Sequence, residues 1–235
     1  MEVDIPLPSG KPMDTWVAEP LETPAPGVIV IHEAFGMNDD IRRHCENFAQ
    51  AGYIAAAPNL YATGIRPFCI RKAFKDLQNR EGDTFDYLEI ARQYLLDHEL
   101  CTGRVGVIGF CMGGGFALAL SPTGKYDAAS VNYGEVPGDI DALLSQGACP
   151  IVASYGEGGM GWPDMARRLE HVLERNDIPH DVEIYPDAGH SFLNQHGAIM
   201  GFFENLGDMG WNEQAANDAW RRIVNFFDEH VRGEA

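Results

Sequence analysis

Positive charge is scarce in this chain. Its 235 residues carry 17 Lys and Arg against 35 Asp and Glu, a formal net charge of −18. Nucleic acids and anionic membranes both need a positive face, so neither is expected as a partner. Cysteine is sparse and shows no pairing pattern: Cys45, Cys69, Cys101, Cys111 and Cys149 are odd in number and never fall in Cys-x-x-Cys spacing. That argues against a disulfide framework or a zinc site and fits a reducing compartment. No His-Glu-x-x-His or comparable ligand spacing occurs, so no metal and no cofactor are expected. No apolar run approaches the roughly 20 residues of a membrane span. The opening Met1-Glu2-Val3-Asp4-Ile5-Pro6 has no basic region followed by an apolar one. The expectation is a soluble cytoplasmic protein with a small-molecule partner, a monomer or small homo-oligomer.

What is present is a hydrophobic content of 45%, enough for one large α/β domain over residues 1–235 with its sheet covered on both faces. Apolar runs over 27–32, 53–57, 104–110, 128–133, 150–155 and 181–185 read as buried strands, after an opening pair of strands over 3–7 and 13–19. Helical periodicity falls between them: 38–51 with Asn38 at its start, 66–79, 84–98, 140–144, 165–176 and 213–231. Strands alternating with helices predict a mainly parallel central sheet flanked by helices on both faces.

The most informative segment is Gly109-Phe110-Cys111-Met112-Gly113, which joins an apolar strand to a small-residue helix. A turn this tight needs residues without bulk two before and two after its apex, the pattern of a nucleophile elbow with cysteine in place of serine. Placing Cys111 at a helix N-terminus predicts exposure and a bias toward thiolate. A structural cysteine beside a glycine-rich packing turn is the plainer alternative. The α/β-hydrolase order then requires a histidine after the last strand. His190 in Pro186-Asp187-Ala188-Gly189-His190-Ser191-Phe192 occupies that loop. Glu33 follows the strand over 27–32 in the loop that supplies half of an oxyanion hole, so backbone N–H groups of Ala34 and Met112 would converge beside the sulfur. From position alone, a solvated loop glutamate is the favoured reading of Glu33.

Four motifs in order, His32-Glu33-Ala34-Phe35-Gly36-Met37-Asn38, then Gly52-Tyr53-Ile54-Ala55-Ala56-Ala57-Pro58-Asn59-Leu60-Tyr61, the Cys111 elbow with Gly114, and Ala188-Gly189-His190-Ser191-Phe192, resemble the dienelactone hydrolase family of α/β-hydrolases. The resemblance implies that Cys111 is the nucleophile, that His190 handles the proton, and that Glu33 holds and deprotonates the thiol when substrate arrives. The substrate class it implies is an ester or lactone. Two positions depart from the family. Gly159 stands where the triad aspartate would lie, leaving Glu157 as a candidate to orient His190 and Asp164 as a cap for the next helix. Leu193-Asn194 stands where lactone hydrolases of the family place a carboxylate-binding arginine. A basic stretch of Arg66, Arg71, Lys72, Lys75 and Arg80, broken only by Asp76, offers replacement anchors for an anionic substrate. Aromatic candidates for a pocket are Phe68, Phe74, Trp162, Phe202, Phe203 and Trp211. Three readings remain open: an esterase or lactonase, a thioesterase or acyl transferase on the same parts, and a ligand-binding protein that has lost efficient turnover with the aspartate.

Overall fold

The computed structural model describes residues 1–158, 161–195 and 210–233. Eight strands, β1 (Glu2–Pro6), β2 (Pro12–Ala18), β3 (Ala25–Ile31), β4 (Ile54–Pro58), β5 (Cys101–Phe110), β6 (Ala129–Asn132), β7 (Ile151–Gly156) and β8 (His180–Tyr185), form one sheet. Its order is β1-β2-β4-β3-β5-β6-β7-β8. β2 pairs antiparallel with β1 and β4, and every other pairing is parallel.

Burial explains the sequence pattern strand by strand. β3, β4, β6 and β7 are buried along their whole length, which is why they read as continuous apolar runs covered on both faces. β2, nearer the edge, alternates, with Met13, Thr15 and Val17 turned inward. The helices α1 (Asp39–Gln50), α2 (Arg66–Asn79), α3 (Asp83–Leu96), α4 (Met112–Leu120), α5 (Ile140–Leu144), α6 (Trp162–Arg175) and α7 (Glu213–Phe227) fill the connections. Asn38 caps α1 as expected, its side chain accepting the Ile41 N–H at 3.0 Å. α6 begins three residues before the predicted start, because Pro163 suits the first turn of a helix. Asp164 therefore does not cap it; Gly161 holds that position and Asp164 pairs with Arg167 one turn on. Among the described residues, no helix is long and apolar enough to cross a membrane.

The register brings distant residues to one edge. Ile31 pairs with Gly109 and Phe110 with Asn132, so the residues just beyond β3, β5 and β6 emerge side by side at the carboxyl ends of parallel strands. That edge is where ligands bind in open α/β sheets.

Candidate active site

Cys111 sits at φ 53 and ψ −114, a left-handed conformation costly for a residue with a side chain. The glycines around it are a steric necessity. A Cβ on Gly109 would lie 1.9 Å from the Gly113 carbonyl oxygen, and one on Gly113 would lie 2.3 Å from that of Ile31. The turn is held by the Cys111 N–H donating to the Asn132 carbonyl at 3.0 Å and by Asn132 Nδ2 donating to the Gly109 carbonyl at 3.2 Å. Asn132 carried no sequence signal, since it ends a short apolar strand.

Hydrogen bonding from the backbone N–H groups of Met112 and Ala34 favours the thiolate form of Cys111. The two groups assigned to an oxyanion hole thus converge at the thiol. The expected bias toward thiolate is overturned. Burial, and after it the Glu33 carboxylate, push the thiol up to about 12 against those two hydrogen bonds. Desolvation and a nearby like charge outweigh the helix N-terminus, so the resting thiol keeps its proton at neutral pH.

Glu33 is not a solvated loop residue; it is 1% exposed, and its Oε1 accepts a hydrogen bond from Ser191 Oγ at 2.8 Å. Ser191 is equally buried and left-handed at φ 64. The Glu33 backbone is fixed by His32. The Leu60 N–H donates to His32 Nε2 at 3.1 Å. Burial drives His32 down to about 4, so the ring is neutral, its proton lies on Nδ1, and Nδ1 donates to the Glu33 carbonyl at 2.7 Å.

His190 lies between two aromatic rings. Its imidazole stacks on Trp162 at 4.5 Å between centroids and 26° between planes, and meets Tyr133 edge-on at 5.1 Å and 64°. Tyr133, just past β6 at φ 42, is 1% exposed. Burial raises its hydroxyl, with Glu33 and Cys111 adding to the effect. His190 thus meets the ring of Tyr133, and Glu33 and Cys111 are near enough for their charges to act on its hydroxyl. The His190 loop is latched to α1: the neutral His44 Nε2–H donates to Asn194 Oδ1 at 2.7 Å and the Gln195 N–H to Asp40 Oδ1 at 3.1 Å.

The remaining candidates divide. Glu157 is exposed, and its carboxylate makes no hydrogen bond or ion pair with the described residues, so it is not seen orienting His190. Gly159, Phe202 and Phe203 lie outside the described residues. Arg80 is tied to Asp139 and lines a small cavity of about 70 Å³ with Gly115 and Leu143 on the flank of α4. Lys72 is held by Asp76 and Asp83. Arg66 reaches over the loop after Glu33, where a methyl group added to Gly36 would lie 3.9 Å from its guanidinium. No described carboxylate pairs with Arg66. Phe68, 72% exposed, and Phe74 project from α2, and Trp211 is partly exposed.

The profile of the dienelactone hydrolase family matches residues 13–231. The chain belongs to this family. Relatives of the dienelactone hydrolase-family chain include proteins of Saccharolobus solfataricus and Synechocystis, both named "Putative carboxymethylenebutenolidase". The first is 28% identical over 92% of this chain and 94% of its own. The second is 29% identical over 92% of each. Among solved structures, a dienelactone hydrolase-like promiscuous phosphotriesterase from metagenomic libraries superposes with a TM-score of 0.81 at 19% identity, covering 98% of this chain and 97% of that one. This last likeness supports the α/β-hydrolase fold.

Proposed function

We propose that the protein hydrolyses a carboxylic ester or lactone through a thioester intermediate on Cys111. The observation that carries this reading is the elbow itself: a strained Cys111 with the Ala34 and Met112 N–H groups converging on its sulfur. When substrate enters, Glu33 leaves Ser191 and takes the thiol proton. The thiolate attacks the carbonyl carbon, and the developing oxyanion is held by Ala34 and Met112 N–H. The C–O bond breaks as the proton taken from the thiol passes from Glu33 through His190 to the leaving alkoxide. A water deprotonated by His190 then attacks the thioester carbon, the C–S bond breaks to release the acid, and His190 returns its proton to the sulfur. Family membership and the relatives named carboxymethylenebutenolidase support the substrate class. An anionic substrate is favoured, because Arg66 stands over the loop of Glu33 without a described carboxylate and gives a carboxylate somewhere to dock. No metal, cofactor, nucleic acid or membrane enters this reading, and the reaction is placed in the cytoplasm.

A second reading, a ligand-binding protein with little turnover, is favoured by one fact, the raised thiol. Both are decided by mixing the protein with a p-nitrophenyl ester. The expected result is a burst of nitrophenolate stoichiometric with protein, and an acyl adduct mapped to Cys111 by mass spectrometry of the quenched reaction. Binding of the ester without burst or adduct would establish the second reading.

A further inference from the structure

We propose that Trp162 is a positioning residue for His190: its indole fixes the plane of the imidazole and stabilises the imidazolium formed when the ring takes up a proton. The inference rests on the roles given to Cys111 and His190 above. It starts from the backbone. Trp162 is the first residue of α6 and is followed by Pro163, which narrows the backbone conformations open to it. From there the indole covers one face of His190 at 4.5 Å and 26°. Tyr133 meets the same ring in a different plane, at 64°. Tyr133 cannot yield, because its ring is packed against Phe110 at 6.3 Å and Phe192 at 5.8 Å. A loop histidine ordinarily turns about its Cβ–Cγ bond; two aromatic walls in different planes remove that rotation.

The stack is also selective between protonation states. A neutral imidazole gains only dispersion and quadrupole contact from an indole face, whereas an imidazolium is drawn to its negative π-density. The contact therefore strengthens as the proton reaches His190, which is the condition for an interaction to accelerate a step rather than merely bind. The N-terminus of α6 opposes the same positive charge. This holds the net gain to about tenfold, below the roughly thirtyfold a desolvated indole face gives alone. Position 159, where the family carries its aspartate, is glycine in this chain and supplies no carboxylate to share the task.

The test compares Trp162→Phe and Trp162→Leu in the full-length protein with a p-nitrophenyl ester. Trp162→Leu is expected to lower kcat about tenfold with KM changed less than about twofold, and Trp162→Phe, which keeps a weaker π face, to recover part of that loss. The fluorescence lost in Trp162→Phe relative to the parent is expected to be quenched as His190 protonates, and this titration is expected to vanish in His190→Gln. Equal losses in the Phe and Leu variants tracking their Tm, an unchanged kcat in Trp162→Leu, or a fluorescence difference indifferent to His190→Gln would each overturn the proposal. Failure of the underlying reading looks different: Cys111→Ala would then hydrolyse the ester at the parent rate.

Discussion

Cys111→Ala is expected to lower kcat/KM for an activated ester by on the order of 10⁴-fold or more, since it removes the sulfur proposed to carry the acyl intermediate. Glu33→Gln is expected to separate two effects that Cys111→Ala merges. The Glu33 carboxylate is the second cause, after burial, that keeps the thiol protonated. Removing its charge should make resting Cys111 react severalfold faster with iodoacetamide, while burial still prevents full ionisation. The same change removes the group proposed to accept the thiol proton, so steady-state ester hydrolysis should fall by about tenfold or more. Faster labelling with slower turnover is the signature. Labelling and turnover that move in the same direction would remove Glu33 from control of the thiol and leave it as a structural partner of Ser191.

Acid is expected to destabilise the fold strongly before its carboxylates titrate. His32 and His44 are 0% and 3% exposed, and burial lowers both from 6.5 to about 4. Between those values the unfolded chain binds protons that the folded one refuses, so stability is complete above about pH 6.5 and is lost as pH falls toward 4. From pH 7 to 4.5 the cost is roughly 2 kcal/mol for each histidine, about 4 together. That is a large part of the 5–15 kcal/mol that ordinarily holds a domain folded. Asp76, lowered by Lys72 and Thr84 against its burial, loses its contribution only below about pH 3.8, outside this window. Urea unfolding at pH 7 and pH 4.5 measures the difference, and a change under about 1 kcal/mol would refute it. Because His44 holds Asn194, the His190 loop is expected to loosen in the same range, seen as lower amide protection factors over 190–195.

Much of this architecture was legible locally. The bounds of α2 and α5 match the periodicity residue for residue, because an apolar stripe and its end signals are properties of a short segment. The elbow was legible for the same reason: Gly109 and Gly113 are demanded by atoms within or immediately against the turn. His190 followed from chain order. Other features had no local trace. α6 was predicted to begin at Met165, since its first turn is Trp-Pro-Asp and has no apolar stripe to mark it. Ser191 meets Glu33 across 158 residues, and Tyr133 and Trp162 reach His190 from the ends of two other elements.

By itself the sequence determined the alternation of elements, the strained cysteine turn and the residue types available for nucleophilic chemistry, all of which depend on neighbours a few positions away. Only the tertiary structure decided that the resting thiol is protonated, that Glu33 is buried against Ser191, that Arg66 rather than Arg80 stands at the loop of Glu33, and that aromatic rings hold the imidazole. The reason is physical. Backbone sterics act within a turn, whereas desolvation and Coulombic coupling depend on everything packed around a group, and here that surrounding is assembled from strands far apart in the chain.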